Sequence, residues 1–357
     1  MILDGNALES IAAAARAIRT GCLIGLPTET VYGLAADADS PVAVAKIFAA
    51  KGRPSDHPLI VHVADASGVA HFASLVPDFA QALMAAFWPG PLTLILPRKE
   101  GVATASTGGQ NSIGLRCPSH PVAQALLKAL MKPLRQAQGE RVGSVVWGLA
   151  APSANQFGRV SPTTAAHVAG EFGDDLLILD GGACEVGIES TIIDCTRGQP
   201  ILLRPGGISR AQIQGVCKQP VLSNEELTSD MSQGPKASGT LESHYAPHAS
   251  VRLMDAKALQ AALDLLGTDM DAKADQSGGL QAANAVIAIY SRALLRTAST
   301  KVLRRRMPDD ATATAQQLFA VLRDFDTQGV KLIWVETPPD APEWDGVRDR
   351  VTRASAA

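Results

Sequence analysis

The stretch Gly25–His62 constrains this chain more than any other. It is led by the apolar run Cys22–Leu26, strand-like in length, which stops at Pro27. Thr28, Glu29 and Thr30 follow, and then Tyr32-Gly33. A strand ended by Pro, with hydroxyl side chains at a strand-to-helix turn, presents backbone N–H groups to a ligand. Ser40-Pro41 reads as an N-cap with Pro at the first helical position, starting a helix through Ala50. Lys51 and Arg53 leave that helix together, and no acidic residue stands within four positions of Lys51. Both cations are therefore read as available to a ligand.

A chain of 357 residues is long for one domain, so two are expected. At 46% hydrophobic and 19% charged residues it has the material for sizeable cores, and with 4% aromatics those cores must be Leu, Ile, Val and Ala. A formal charge of -3 argues against nucleic-acid binding by net charge, although a local patch is still able to touch RNA. The five cysteines, Cys22, Cys117, Cys184, Cys195 and Cys217, show no CxxC or metal spacing and fit reduced thiols in a cytoplasmic protein. The start, MILDGNALES, lacks the basic and apolar parts of a signal peptide, and no apolar run reaches membrane-spanning length.

Taken in order, Asn6–Arg19 reads as a helix, Cys22–Leu26 and Leu59–Val63 as strands around the Ser40–Ala50 helix in a βαβ-like unit. Pro77–Phe87 is helical, and WPGPLT turns sharply into the strand Leu92–Leu96, with Trp88 as packing. Ser112–Leu115 is a strand ending at Arg116, and Val122–Met131 a helix. Lys132–Val142 loses apolar periodicity and reads as an inserted surface loop with Lys132, Arg135 and Arg141 in it. Strands are expected at Ser144–Leu149, Leu176–Leu179, Thr191–Asp194 and Ile201–Leu203, with a helix over Ser209–Val216. From Cys217 to Ser250, 34 residues without periodicity read as a linker or lid. Beyond it, strands at Val251–Met254, Ala285–Tyr290 and Leu332–Val335 alternate with helices at Ala256–Leu266 and Thr314–Phe325, the pattern of a small open α/β domain with parallel strands. Asp269–Leu280 reads as a mobile connection and Lys301–Arg306 as a basic patch. No GxGxxG opens this domain's first helix, so dinucleotide binding is not inferred.

The motifs PTET–YGL (Pro27–Leu34), KGRP (Lys51–Pro54) and HPLIVH (His57–His62) resemble the YrdC-like domain of threonylcarbamoyl-AMP synthases. SIGLRCP (Ser112–Pro118), APSAN (Ala151–Asn155), GIESTIID (Gly187–Asp194) and LLRPGGIS (Leu202–Ser209) continue the resemblance in the family's order, and HYAP (His244–Pro247) matches its longer, two-domain members. The resemblance implies a YrdC-like catalytic α/β domain with a twisted mixed sheet and a basic cleft over about 1–216. It further implies a linker or lid at 217–250, a smaller Rossmann-like C-terminal α/β domain at 251–345, and a tail at 346–357. It implies synthesis of threonylcarbamoyl-AMP and pyrophosphate from L-threonine, bicarbonate and ATP, with Mg2+ arriving on ATP. The product then passes to the machinery that transfers the threonylcarbamoyl group to tRNA.

Carried over residue by residue, the family's ATP contacts fall on Lys51, Arg53, His57, Ser112, Ser153, Asn155, Ser161, Arg204 and Tyr245, with Lys51 and Arg53 as the catalytic cations. Its threonine contacts fall on Thr30, His62, Arg116, Ala151 and Ser190. By residue pattern alone His57 and His71 read as structural, and His62, alternating with Ile60, as a core histidine. Lys51, Arg53, Arg116 and Arg204 stand at ends of expected elements, where a triphosphate plus a carboxylate needs cations. Nucleotidyl transfer rests on positioning and charge stabilisation, so the lack of a nucleophile signature is no obstacle. Among Glu29, Asp37, Asp39 and Glu189 no metal-binding spacing appears, so no protein-built metal site is expected. Two departures stand out: Ser250 replaces the family's last linker Pro, and Ala151 stands where some members carry Thr. Two other readings are open. One is an RNA-binding module of the same fold without catalysis. The other is a carbamoyl-transfer enzyme of hydrogenase maturation, which would bring zinc-finger cysteines and an acylphosphatase segment that this chain lacks.

Overall fold

The computed structural model describes all residues except 136–140, 143–144, 224–225, 228–233, 240–242, 277–286, 300 and 357. The chain divides into two compact units: Met1–Phe157 with Ser161–Thr240, and Gly158–Val160 with Leu241–Ala357.

The first unit is built on a mixed sheet of, among the described residues, eleven strands. Their spatial order is Ile2–Asp4, Leu177–Asp180, Ile24–Leu26, Gly33–Asp37, Leu149–Ala150, Ile60–His62, Ser112–Arg116, Leu92–Pro97, Thr191–Asp194, Ile201–Arg204 and Leu222–Ser223. The expected βαβ unit is not what forms. Gly33–Asp37 is itself a strand, antiparallel to Ile24–Leu26, and it stands with Leu149–Ala150 between Ile24–Leu26 and Ile60–His62. GLAAD escapes a periodicity reading because it is buried on both faces and shows no alternation.

Helices pack on the sheet through Leu, Ile, Val and Ala. Ile11, Ile18, Ile24, Leu126 and Leu149 belong to one cluster, and Val44, Ile47, Val61, Leu94 and Phe72 to another. The Pro41–Lys51 helix starts as its sequence demands: Ser40 accepts the Ala43 amide at 3.3 Å, and Pro41 takes the first position. It ends at Gly52, whose φ of 60° is the left-handed cap that suits glycine. Ser209 and Gln212 form a reciprocal capping box at Arg210–Cys217. Trp88 packs as expected, its indole donating to the Leu92 carbonyl at 2.7 Å. The sequence reading also lacks the short strand Ile2–Asp4 and the helix Ala66–Phe72, which Asp65 caps. Within Lys132–Val142, expected as an inserted surface loop, Leu134–Arg135 pairs antiparallel with Arg141–Val142; 136–140 lie outside the described residues.

Among its described residues the second unit holds a four-stranded, all-parallel sheet in the order Ser250–Met254, Leu332–Glu336, Ile287–Ser291 and Val302–Arg306. The expected basic patch is thus an edge strand. Helices Ala256–Gln276, Ala311–Thr327 and Asp345–Ser355 complete the unit. The first of these extends through most of the expected mobile connection; 277–280 lie outside the described residues. The expected tail is the last helix, which buries Val347, Arg350, Val351 and Ala354 along one side. Its charged residues hid that side, since apolar positions spaced three and four apart are few among DGVRDRVTRAS.

Candidate active site

Strand ends and the turns that follow them carry the site in the first unit. Lys51, the last residue of its helix, is buried, and its ammonium donates to the Ser153 carbonyl at 2.6 Å and to the Asn155 carbonyl. Burial, and then the Arg53 charge, lower its pKa to about 7, against the pull of Glu171 and Glu189. Arg53 donates to the Pro58 carbonyl at 2.9 Å and to Ser238 Oγ at 3.3 Å, with Phe157 5.6 Å beneath its guanidinium. His57 meets the edge of the same Phe157 ring at 5.4 Å. Asp56, three residues beyond Arg53, pairs instead with Lys236 at 2.8 Å.

Arg204, at the end of its strand, donates to the Ser190 carbonyl at 3.0 Å, to Ser190 Oγ at 3.2 Å and to the Ser238 carbonyl at 2.9 Å. Ser238 therefore lies against both Arg53 and Arg204. Gly206, just beyond, is required by packing, since a Cβ there would meet the Thr191 amide nitrogen at 2.4 Å. Ser161 is fully buried and its hydroxyl donates to Glu189. Asn155 is buried, its amide donating to the Gln156 carbonyl at 2.7 Å. Ser112 lines a cleft with Ile60, Thr93, Gln110, Lys236 and Ser238.

A second cluster gathers most of the expected threonine residues. Strand register sets His62 beside Arg116. Arg116 pairs with Glu29 at 2.8 Å, both buried, and donates to Thr30 Oγ1 at 2.7 Å and to the Gly90 carbonyl at 3.3 Å. Burial raises the Glu29 pKa, but Arg116 and the Ser119 amide outweigh it and hold the carboxyl below its usual range. Arg116 is thus not an uncompensated cation, and Glu29 is its counter-ion. Burial, and then Arg116, lower the His62 pKa to about 3, so the imidazole is neutral. His62 Nδ1 has no hydrogen-bond partner among the described residues. Ser190 Oγ shares a hydrogen bond with Thr93 at 2.7 Å, and the Ala151 amide donates to the Ile60 carbonyl at 3.0 Å.

Every site residue read from the sequence except Tyr245 lies in the first unit. That side chain is in the second unit, buried, stacked on Phe319 at 5.5 Å with Arg350 5.1 Å over its ring. Reading motif by motif missed Glu29 as the partner of Arg116, Glu189 as the partner of Ser161, Phe157, and the Lys236–Ser238 segment. Glu29 and Glu189 stand inside matched motifs, yet nothing local assigns their partners. Lys236 and Ser238 fall in a stretch without periodicity.

The family profile described as "Telomere recombination" matches residues 16–206, and the one described as "Threonylcarbamoyl-AMP synthase, C-terminal domain" matches residues 208–356. The chain is 35% identical to the threonylcarbamoyl-AMP synthase of Bacillus subtilis over 97% of its own length and 92% of that protein. It is 34% identical to that of Schizosaccharomyces pombe, over 98% of this chain and 88% of the other. A crystal structure of Pyrococcus abyssi Sua5 complexed with L-threonine superposes with a TM-score of 0.82 at 32% identity, covering 99% of this chain and 97% of that one. With both profiles matched in order and relatives aligned nearly end to end, the chain belongs to the threonylcarbamoyl-AMP synthase family, in its two-domain form.

Proposed function

We propose that this chain is an L-threonylcarbamoyladenylate synthase that joins L-threonine, bicarbonate and ATP and releases pyrophosphate. The observation that carries this reading is the gathering of Lys51, Arg53 and Arg204, all buried, in the unit that also sets neutral His62 beside the Arg116–Glu29 pair. The cations suit a triphosphate, and the His62–Arg116 cluster suits a small amino acid carrying both charge and a hydroxyl. His62 Nδ1, buried and without a hydrogen-bond partner among the described residues, is a hydrogen-bonding position for the threonine hydroxyl; Thr30, Ala151 and Ser190 complete that pocket.

The threonine amine takes up bicarbonate with loss of water to give a carbamate, whose oxygen attacks the α-phosphorus of ATP as pyrophosphate leaves. Lys51, Arg53 and Arg204 hold the phosphates and stabilise the leaving pyrophosphate. Ser153, Asn155, Ser161, Ser112 and His57 position the nucleotide. Mg2+ enters as the counter-ion of ATP and keeps most of its waters. The product goes to the tRNA threonylcarbamoyl-transfer machinery, with at most a weak RNA contact here, and the enzyme works in the cytoplasm. No helix of the described residues is long and apolar enough to cross a membrane.

Pyrophosphate release that depends on threonine tests the reading. A pocket built to bond a hydroxyl rejects an isostere lacking it by orders of magnitude, whereas rejecting serine rests on one methyl, worth about 1–3 kcal/mol. Valine should therefore be far poorer than serine. Threonine-independent release, or equal adenylate formation from valine and threonine, would overturn it.

A further inference from the structure

Arg116 and Glu29 form a buried ion pair, within the first unit, whose facing atoms are left over. Arg116 commits Nη1 to Thr30 Oγ1 at 2.7 Å and Nε to the Gly90 carbonyl at 3.3 Å. Glu29 Oε2 accepts the Ser119 amide at 3.1 Å. Arg116 Nη2 and Glu29 Oε1 remain, 2.8 Å apart, yet neither makes an aligned hydrogen bond to any described residue. A purely structural pair is best served by a two-bond fork, because an unmade bond to a buried charge is costly. His62 Nδ1 is left in the same condition on the adjacent strand, where His62 and Arg116 are register partners. A cation, an anion and a neutral imidazole each keep one buried bonding position open.

Glu29 is fixed where it stands. Thr28 Oγ1 accepts the Thr30 and Val31 amides, each at 3.3 Å, and donates to the Val31 carbonyl at 2.6 Å, which sets the turn. The Glu29 carbonyl accepts the Val186 amide at 2.8 Å. Its carboxyl is ionised: burial pushes the pKa up, but Arg116 and the Ser119 amide outweigh it and hold the group below its usual range. Burial also raises the Cys117 and Cys184 thiols that sense this charge, so both stay protonated. Among the described residues, Arg116 is the charge that answers Glu29.

We propose that Glu29 recognises the α-ammonium of the substrate, its Oε1 accepting from the nitrogen while Arg116 Nη2 meets the carboxylate, so that the pocket selects a zwitterion. This rests on the reading of the His62–Arg116 cluster as the threonine pocket. At neutral pH an amino acid carries both charges, and burying either one without a partner is heavily penalised. An Arg alone would hold a hydroxy acid as readily as an amino acid. The Arg116–Glu29 pair is neutral overall and answers the zwitterion charge for charge, which rejects a ligand lacking the amine by leaving Oε1 unbonded.

Calorimetric titration of the full chain tests it, with L-threonine and with the analogue of the same configuration in which a hydroxyl replaces the amine. The parent should bind threonine about tenfold or more tightly than the analogue. In Glu29→Gln that difference should shrink to within about threefold, with threonine bearing nearly all of the loss. Equal losses for the two ligands would mean that Glu29 only props Arg116 and would overturn the proposal, as would a parent that does not prefer threonine. Should Glu29→Gln fail to fold, the parent decides through pH. Threonine affinity should fall as its ammonium deprotonates while the affinity of the analogue does not, and parallel profiles overturn the proposal. A parent that bound threonine with this preference but released no pyrophosphate would sink the functional reading and leave the role of Glu29 supported.

Discussion

Burial and charge conflict most sharply at Lys51. Its ammonium satisfies two carbonyls, yet burial first and Arg53 second bring its pKa to about 7. Near pH 8 the unliganded side chain is therefore mostly neutral, and in the proposed reading a bound triphosphate would restore its proton. ATP binding at pH 8 should take up to about one proton, read as a buffer-dependent binding enthalpy, and Lys51→Met should abolish that uptake. Identical uptake in the variant would remove Lys51 from the phosphate site. The same shift has a stability consequence of definite sign. Between the folded value of about 7 and the unfolded value near 10.5 the unfolded chain binds more protons, so stability rises with pH across that window. Urea titrations should show Lys51→Met gaining on the parent as pH falls from about 10 to about 7. His62 behaves likewise in acid: with a folded pKa of about 3, against 6.5 ordinarily, it contributes a loss of stability as pH falls from 6.5 towards 3.

Among the elements, the stretch between Cys217 and Ser250 departs furthest from a simple tether. Leu222–Ser223 adds a parallel strand to Ile201–Arg204, and residues through Thr240 group with the first unit while His244–Pro247 are bound into the second. The Lys236 amide donates to Gln110 at 2.7 Å, and Ser238 takes donors from Arg53 and Arg204. In the proposed reading Arg53 and Arg204 are the donors for the triphosphate, so nucleotide and segment would compete for them. The Lys236–Asp56 pair is solvent-exposed and weak, and a phosphate oxygen offers Arg53 and Arg204 a charged acceptor in place of the neutral oxygens of Ser238. Saturating ATP should therefore speed exchange at the Lys236 and Ser238 amides, measured by hydrogen-exchange mass spectrometry. Rates that do not respond to ATP would mean the segment only connects the units. Of the stretch expected as a lid, Lys236–Ser238 is held by the first unit, and Tyr245 is buried in the second.

For the whole molecule, two units make all-or-none unfolding unsafe to assume, and ligand effects are to be assigned unit by unit. ATP at about 100 times its Kd should stabilise the unit that binds it by about 2.7 kcal/mol. Calorimetry with exchange at Thr191–Asp194 should register that shift; its absence would place the nucleotide site elsewhere. Much of this architecture was legible in local pattern. Ser40-Pro41, Ser209 and Gly52 mark helix ends because capping is decided within four residues, and the parallel character of the second sheet follows from strands alternating with helices. The motif order likewise names the residues proposed here for nucleotide and threonine. Other features have no local trace. The Gly33–Asp37 strand is buried on both faces and carries no alternation. The last helix hides its packed side among charges. Glu29 finds Arg116, Ser161 finds Glu189, and Ser238 finds Arg53 and Arg204 across separations of 28 to 185 residues. Sheet order and register choose such partners, and a buried charge accepts whichever counter-group the fold delivers, so these pairings exist only once the chain has closed on itself.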